Sequence, residues 1–295
     1  MPVWIHLNGR LVAESEARVS VFDRGLLYGD GVFESMRAVE GRVFRQDRHL
    51  ERLRRSASGI GLELPMPPGG FAAAIRDLLE ANRLGDARIR VTVTRGAGRP
   101  GEYVEAEGPA TVVISAAGFA GIDPALHQKG VAVAIPPRRQ IPPESLDPAI
   151  KSISRLSSVL ARREARDKGA FEAILLDGDG NLTEGTASNL FLVLGWRLAT
   201  PQVPAEGLPG ITREAVIELA RTASIPVTEE PLPARLLLSA DEAFLTNTSW
   251  EVLPVVGVDG RPIGGGTPGP VARDLLGRYR EVLRREGGAA AAAGE

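Results

Sequence analysis

Strand-like and helix-like segments alternate in both halves of this chain of 295 residues, without a regular strand–helix–strand period. Period-two alternation, apolar runs and turn signals predict strands or hairpins at 4–13, 32–45, 88–94, 111–117, 130–135, 171–177, 182–193 and 243–255. Helical spacing of apolar residues predicts helices at 48–60, 71–85, 211–223 and 270–285, and one further helix that contains Lys151. This mixture favours two α+β-like domains over a single doubly wound sheet.

Local signals set the expected boundaries. Asn8-Gly9 predicts the turn of the first hairpin, Asp47 is a candidate N-cap, and Gly85 is the expected end of the second helix. The stretch GFAGIDPALH is the best candidate linker, because Gly and Pro interrupt both kinds of periodicity. We therefore expect an N-terminal domain at 1–117, a linker at 118–127, a C-terminal domain at 128–286 and a low-complexity tail at 287–295.

Composition excludes several classes of protein. The chain is 43% hydrophobic and 24% charged, which is typical of a soluble globular protein. A formal net charge of −2 gives no electrostatic basis for binding nucleic acid or an acidic membrane. The absence of cysteine excludes disulfides and thiolate chemistry, and the three widely separated histidines make a metal site unexpected. The start MPVWIHLNGR lacks a signal-peptide pattern and no apolar run reaches membrane-spanning length, so we expect a cytoplasmic location.

Lys151 is one of only three lysines, and the other 32 of the 35 basic residues are arginine. One interpretation is a lysine at a helix start with its ammonium in water. The other is a lysine that forms a Schiff base, a role that arginine cannot fill because only a primary amine condenses with an aldehyde.

Glu184, in TEGTASNLFLV, is a second candidate. It is either a solvated turn carboxylate or a buried carboxylate that pairs with a pyridinium nitrogen. Gly210-Ile211-Thr212 follows a Pro-Gly loop and opens a predicted helix. Its backbone N–H groups and hydroxyl suit an anion, whereas simple N-capping by Thr212 is the alternative.

Two further segments could contribute to an anion site. The cluster Thr246-Asn247-Thr248-Ser249 ends an apolar strand with hydroxyls and backbone amides. Arg52, in HLERL, can donate two parallel hydrogen bonds to a phosphate, or it is a solvent-facing helix arginine.

The motifs that contain these residues, taken in chain order, resemble those of the class IV, fold-type IV enzymes that use pyridoxal 5'-phosphate (PLP). That family includes branched-chain and D-amino acid aminotransferases, (R)-amine transaminases and 4-amino-4-deoxychorismate lyases. The resemblance runs from about residue 3 to residue 285, and it rests on the motifs DRGLLYGDGVFESMR, RHLERLRRSA, IKS with ARREA, EAILLDGDGNLTEGTASNLF, GITRE and FLTNTSWEVLPV.

The resemblance implies specific roles. Lys151 is expected to carry PLP as a Schiff base and to act in catalysis, and Glu184 to contact the ring nitrogen. The residues expected to contact the rest of the cofactor are Arg52, Arg155, Ile211 (through its backbone), Thr212 and Thr248. Those expected to bind substrate are Tyr28, Phe33, Arg37, Arg88, Arg90, Arg95, Asn247 and Ser249. The family fold implies an N-terminal two-layer α/β domain, a C-terminal barrel-like α/β domain and a homodimer.

The motifs favour an aminotransferase that acts on an amino donor and a 2-oxo acid acceptor. Branched-chain members usually carry FEGIR and a tyrosine soon after the lysine, whereas this chain has FESMR and Arg155. D-amino acid members follow the VTRG strand with an arginine-x-histidine carboxylate trap, whereas this chain has Arg95 but Ala97 in place of the histidine. A D-amino acid, a branched-chain amino acid or an (R)-amine therefore all stay open as donor.

A lyase that releases pyruvate and 4-aminobenzoate is the alternative. It is supported by Lys151 with Arg155-Leu156, by RGAGRPGEY (95–103) and by Asn247. A protein that binds a small molecule without catalysis would require Lys151 and Glu184 to be incidental.

Overall fold

The computed structural model describes residues 3–99, 101, 108–203 and 207–287. The tail expected at 287–295 therefore lies outside the described residues except for Gly287, as do residues 100, 102 and 103 of the segment RGAGRPGEY. The described residues form two compact units. One comprises those of 1–120, 150–154 and 283–287, and the other comprises those of 121–149 and 155–282.

The first unit is built on a six-stranded antiparallel sheet of order β2-β1-β6-β5-β3-β4. Its elements are β1 (Trp4–Leu7), β2 (Arg10–Ala13), a 3₁₀ turn (Glu14–Glu16), α1 (Arg24–Tyr28), β3 (Gly31–Val39), β4 (Arg42–Val43), α2 (Gln46–Gly59), α3 (Pro68–Ala81), β5 (Ala87–Thr94) and β6 (Thr111–Gly118). The turn at Asn8-Gly9 is confirmed, and both residues have the positive φ that a two-residue hairpin turn requires.

The helices α2 and α3 cover one face of this sheet. Strand β5 alternates buried and exposed residues, so that Ile89 and Val91 face the core while Arg90 does not. Leu53 of α2 and Ile75 of α3 are fully buried in the same apolar cluster. Because the strand period is two, the opposite face of the sheet remains free for polar side chains.

Two expected helix boundaries are wrong. Helix α2 begins before Asp47, because Arg45 adopts a left-handed conformation that turns the chain into the helix two residues earlier than expected. Helix α3 ends at Ala81 rather than at Gly85. There Arg83, with φ of 54°, reverses the chain, and the Leu84 N–H donates to the carbonyl of Leu79.

The second unit contains a larger mixed sheet. Its elements are α4 (Pro124–Lys129), β7 (Val131–Ala134), α5 (Leu156–Asp167), β8 (Glu172–Leu176), β9 (Asn181–Gly185), β10 (Asn189–Leu194), β11 (Arg197–Thr200), α6 (Ile211–Thr222), β12 (Val227–Glu229), β13 (Leu232–Pro233), α7 (Arg235–Ser239), β14 (Glu242–Asn247), β15 (Glu251–Val258), β16 (Arg261–Pro262) and α8 (Pro270–Gly287), of which the last turn belongs to the first unit.

Six of these strands close into a barrel. The order β10-β14-β15-β7-β8-β9 returns to its start because β9 also pairs with β10. The closing pair is Glu184 opposite Asn189. The pairing of β9 with β10 closes the ring of six strands and fixes the backbone at this pair, while β12 and β13 remain end strands of the sheet. The seam of the barrel thus lies at one of the candidate site residues.

Within the described residues, no helix has both the length and the apolar character needed to cross a bilayer.

Candidate active site

Lys151 lies in an extended segment, so the expectation that a helix contains it is wrong. Its carbonyl accepts a hydrogen bond from the Phe33 N–H at 3.0 Å, and the Ile153 N–H donates to Gly31 at 3.0 Å. Helix α5 begins only at Leu156. The start of β3 has backbone groups that need partners, and residues 151–153 supply them. Sequence periodicity cannot reveal such a pairing, because the two segments are far apart in the chain.

The amine of Lys151 is carried by a backbone that is fixed on two sides. Besides the bond to β3, the Lys151 N–H donates to the hydroxyl of Ser56 on α2 at 3.1 Å. The Nζ atom lies 4.8 Å from the centroid of the Phe33 ring. A half-buried amine over an aromatic face, on a rigid backbone, is well placed to hold a covalently bound group.

A buried ionic cluster occupies the same unit. Glu34 and Arg52 form two parallel hydrogen bonds at 2.7 and 2.8 Å, and His49 Nδ1 lies 2.8 Å from the same carboxylate. All three side chains are almost completely buried. The solvent-facing alternative for Arg52 is therefore wrong. A carboxylate that binds the guanidinium in two places fixes its orientation.

The cluster changes the pKa values of its members. Burial alone would raise the pKa of Glu34, but the charge and hydrogen bonds of Arg52 outweigh burial and hold that pKa well below its ordinary value. Burial lowers the pKa of His49; Glu34 opposes this effect, and the charges of Arg52 and Lys151 add to it. His49 is therefore favoured in its neutral form near pH 7.

Three of the candidate arginines lie on the sheet face opposite the core. Arg37 of β3 is directly opposite Arg88 of β5, and both guanidinium groups lie over the ring of Phe119, at 5.4 and 5.8 Å. The guanidinium of Arg90 lies 4.0 Å from the centroid of the Phe33 ring. Lys151 Nζ lies 4.8 Å from the centroid of the same ring, so one aromatic side chain contacts both cations.

The guanidinium of Arg95 forms its hydrogen bonds with residues of the first unit. It donates to both carboxylate oxygens of Asp30, at 2.7 and 3.1 Å, and to the carbonyls of Ile60 and Gly61. Four of the five N–H groups of a guanidinium are thereby used. Asp30 also accepts from Arg24. Burial alone would raise the pKa of Asp30, but these hydrogen bonds hold it below its ordinary value.

Tyr28 ends α1 and is half-buried. Its hydroxyl accepts from the Gly101 N–H at 3.4 Å, and the guanidinium of Arg24 lies over its ring.

In the second unit, Glu184 is a buried carboxylate at the barrel seam. Its Oε1 accepts from the side chain of Gln140 at 3.1 Å, and its Oε2 accepts from the Leu208 N–H at 2.9 Å. A Cβ atom at Gly207 would lie 2.9 Å from Oε2. The absence of a side chain at residue 207 leaves room for this close approach to the carboxylate. The solvated-turn interpretation of Glu184 is wrong, since only 8% of the residue is exposed.

Side-chain hydrogen bonds fix the turn between β9 and β10. Arg155 donates to the carbonyl of Thr186, and the Thr186 hydroxyl donates to Glu172 at 2.6 Å. Glu172 is fully buried, and burial raises its pKa although the nearby Arg162 opposes this effect. These contacts fix the two residues that follow Glu184 in the chain.

The N-terminus of α6 is open for an anion. Its N-cap is Gly210, which makes no side-chain capping bond, so capping by Thr212 does not occur. Ile211 and Thr212 are buried in the first turn. A Cβ atom at Gly210 would lie only 2.0 Å from Asn189 Oδ1. The backbone therefore passes close to the barrel seam, and among the described residues the N-cap gives no side-chain hydrogen bond to the first N–H groups of the helix.

The turn at 247–250 is organised by Asn247. Its Oδ1 accepts from the N–H groups of Ser249 and Trp250, at 2.9 and 2.6 Å, and its Nδ2 donates to the carbonyl of Ala187 at 2.9 Å. Thr248 lies inside this turn. The geometry resembles an Asx turn that fixes the backbone around Thr248.

The candidate residues thus fall into two groups. The first unit contains Lys151, Arg52, Tyr28, Phe33, Arg37, Arg88, Arg90 and Arg95, and the second contains Arg155, Glu184, Ile211, Thr212, Asn247, Thr248 and Ser249. Sequence reasoning missed the supporting residues Glu34, His49, Gln140, Glu172 and Asn189. A charged residue inside an apolar strand, such as Glu34, is the available signal, because such a residue needs a partner.

Comparisons with known proteins now identify the family. Residues 31–258 match the family model described as amino-transferase class IV. A putative branched-chain-amino-acid aminotransferase of Methanocaldococcus jannaschii is 40% identical over 96% of this chain and 97% of its own length. A D-alanine aminotransferase of Bacillus licheniformis is 35% identical over 91% and 93%. The branched-chain amino acid aminotransferase of Thermobaculum terrenum, solved in its PLP form, has a TM-score of 0.89 at 28% identity, over 97% of this chain and 95% of that one.

The chain belongs to the class IV aminotransferases. It has their fold-type IV architecture, as the resemblance implied, and it is a PLP-dependent aminotransferase. The relatives do not favour the lyase alternative.

The residues present fit PLP. The hydroxyls of Thr246 and Ser188 are buried and have no hydrogen-bond partner among the described residues, which buried hydroxyls rarely tolerate. The uncapped α6 N-terminus suits a phosphate, and the lack of space for a Cβ atom at Gly210 keeps the backbone close to the seam. Glu184 is a buried carboxylate, which is the kind of group that suits a protonated ring nitrogen.

Proposed function

We propose that this protein transfers the amino group of an L-branched-chain amino acid to a dicarboxylic 2-oxo acid, with Lys151 as the covalent attachment point of PLP. The observation that carries the proposal is the placement of Lys151 and Arg90 over the single ring of Phe33. It puts a primary amine next to an apolar surface and a guanidinium. The two substrates need an amine, an apolar surface and a cation.

Lys151 has two tasks in this proposal. Its Nζ would be the atom that holds the aldehyde of PLP. Once free, the same Nζ would be the base that removes the proton from the substrate Cα. The hydrogen bonds to Phe33 and Ser56 keep the lysine backbone in place during both tasks. When bound, PLP supplies the aldehyde that captures the amino group and a ring that withdraws the electrons left at Cα.

The other cofactor contacts come from residues that are already fixed. Glu184 would keep the ring nitrogen protonated. The phosphate would be held by the N–H groups of Ile211 and Thr212, the hydroxyls of Thr212 and Thr248, and the guanidinium of Arg52. Glu34 orients Arg52 for this contact.

Arg90 is proposed to bind the distal carboxylate of the 2-oxo acid. It is exposed on the sheet face that also carries Arg37 and Arg88. An arginine can bind a carboxylate with two parallel hydrogen bonds, and three arginines on one face favour an acidic acceptor. Apolar donors would contact Phe33 in the same region.

Three observations support a branched-chain donor over a D-amino acid. Arg95, the arginine expected in a D-amino acid carboxylate trap, uses four of its N–H groups on Asp30, Ile60 and Gly61. Ala97 supplies no histidine beside it. The 40% identity to the putative branched-chain enzyme points the same way.

We also propose that the protein is a cytoplasmic homodimer. Val19, Val21, Phe22, Leu26 and Leu27 are exposed apolar side chains within one short segment of the first unit. Such a cluster is unusual on a monomer surface and suits a second copy of the chain. Light scattering should give the mass of a dimer for the wild type and a lower average mass for Leu26→Glu. A monomeric wild type would contradict the dimer.

The half-reaction with a single donor tests the proposed substrate. The PLP-loaded protein is mixed with L-leucine, D-leucine or D-alanine without any acceptor, and its visible absorbance is followed. L-leucine should remove the yellow absorbance of the lysine-bound cofactor much faster than either D-amino acid. A faster reaction with D-alanine would replace the branched-chain assignment with a D-amino acid one.

A further inference from the structure

The turn proposed to hold the cofactor phosphate ends in an unusual backbone conformation. Strands β14 and β15 are joined by residues 248–250, and Asn247 pairs with Glu251 across the hairpin. Glu251 has φ of 60°, in the left-handed region. Hairpins with three-residue loops usually place glycine at such a position, because a Cβ atom disfavours this conformation. Here the position carries a glutamate that is only 4% exposed.

Two helices of the same unit hold the end of this turn: α8 binds the Glu251 side chain, and α4 binds the Trp250 carbonyl. Arg280 of α8 donates from Nε to Glu251 Oε2 at 2.6 Å, and its Nη2 lies 3.2 Å from Nδ1 of His127 on α4. The other ring nitrogen of His127 lies 2.9 Å from the carbonyl of Trp250. Because a guanidinium only donates, Nδ1 of His127 accepts, so its Nε2 carries the proton and donates to Trp250.

These contacts fix the last residue of the turn and the residue after it. Asn247 fixes the other end through the Ser249 and Trp250 N–H groups and the Ala187 carbonyl. Thr248 therefore lies in a short turn that is held at both ends. A group held at both ends of a short loop loses little further freedom when it binds a ligand.

We propose that Glu251, clamped by Arg280 and His127, is a positioning residue for the cofactor phosphate. The clamp holds residue 251 in the left-handed conformation that the turn requires, and it thereby aims the Thr248 hydroxyl and the turn amides at the phosphate. Strain at a buried charged residue is expected where a site must be preorganised. This inference rests on the proposed placement of the phosphate at Thr248.

The test compares PLP with pyridoxal, which lacks the phosphate but has the same aldehyde. The dissociation constants of both are measured by titration of the apoprotein, so that the readout does not depend on activity. The variants are Glu251→Gln and Arg280→Met, with Thr248→Ala to test the phosphate contact itself. Arg278→Met is the matched control, because Arg278 is an equally exposed arginine of α8 that pairs with Asp274 instead.

Glu251→Gln and Arg280→Met should each weaken PLP binding by about tenfold and leave pyridoxal binding unchanged. Thr248→Ala should do the same, and Arg278→Met should change the binding of neither ligand.

The positioning role is wrong if the Glu251 and Arg280 variants weaken the binding of both ligands equally, or of neither, while Thr248→Ala behaves as expected. If Thr248→Ala has no selective effect, the phosphate placement fails, and the inference fails with it. Arg280→Met keeps the test decisive if Glu251→Gln does not fold, because Arg280 is partly exposed.

Discussion

Lysine is so rare in this chain that each lysine can be tested individually. Lys129, Lys151 and Lys168 are the only three. Arginine keeps the charge of lysine but cannot form a Schiff base, so Lys→Arg substitutions separate charge from chemistry. At the residue scale, the proposed mechanism therefore depends on one primary amine.

Lys151→Arg should lower the rate of transamination by at least about a thousandfold, because both the attachment of the cofactor and the base are lost. The far-ultraviolet circular dichroism should stay that of the wild type. Lys129→Arg and Lys168→Arg are the matched controls and should keep wild-type rates. An active Lys151→Arg protein would show that the amine lies elsewhere.

Glu184→Gln should slow the half-reaction with an amino donor by about tenfold to a hundredfold, because an amide cannot keep the ring nitrogen protonated. Binding of PLP should change little, since the phosphate contacts remain. Stopped-flow absorbance measures the rate. Glu230→Gln, at a more exposed carboxylate, is the control. Equal rates for wild type and Glu184→Gln would mean that another group contacts the nitrogen.

At the scale of elements, periodicity predicted most strands and helices of this fold. The prediction is correct where buried and exposed residues alternate along one element, as in β5, because the polarity of each side chain then indicates which face it lies on. It failed at the ends of α2 and α3, where non-glycine residues adopt left-handed conformations that the tertiary structure stabilises. It also failed at Lys151, whose extended conformation depends on a strand more than a hundred residues earlier.

In the candidate site, too, only local signals could be predicted from the sequence. Lys151, Glu184 and Arg52 could be predicted because each lies in a short motif that indicates its chemistry. Their supports were not visible: Glu34 meets His49 fifteen residues later, and nothing in either local pattern indicates that pairing. The closure of the barrel at Glu184 and Asn189 is a property of the whole sheet and has no local signal.

Gly210→Ala should weaken PLP binding and lower the melting temperature. The new Cβ atom would lie 2.0 Å from Asn189 Oδ1, so either the Asn189 side chain or the start of α6 must shift at the barrel seam. Gly277→Ala, inside α8 with no atom within 4 Å of the new Cβ, is the control and should raise stability by about 0.5–1 kcal/mol. Wild-type affinity and stability in Gly210→Ala would show that the close approach is not needed.

At the scale of the whole molecule, the buried cluster of Glu34, His49 and Arg52 makes stability depend on pH. The pKa of His49 is below its ordinary value of 6.5 in the folded state, so below pH 6.5 the unfolded chain binds a proton that the folded chain does not. Stability is therefore lost as the pH falls below about 6.5. The lowered pKa of Glu34 adds a further loss below its ordinary value of 4.5.

His49→Asn should flatten the pH dependence of the free energy of unfolding between pH 6.5 and 5, measured by urea denaturation. One proton contributes a slope of at most about 1.4 kcal/mol per pH unit. A smaller slope should remain, because burial also lowers the pKa of His6. An unchanged slope in His49→Asn would mean that His49 does not titrate differently in the folded and unfolded states.

The most direct test of the account is chemical trapping of the cofactor. The PLP-loaded protein is reduced with borohydride, digested and analysed by peptide mass mapping. The account predicts the mass of a reduced pyridoxyl phosphate on the peptide that contains Lys151, and none on the peptides of Lys129 and Lys168. A label on Lys129 or Lys168, or no label on any lysine, would contradict the assignment of Lys151 as the attachment point.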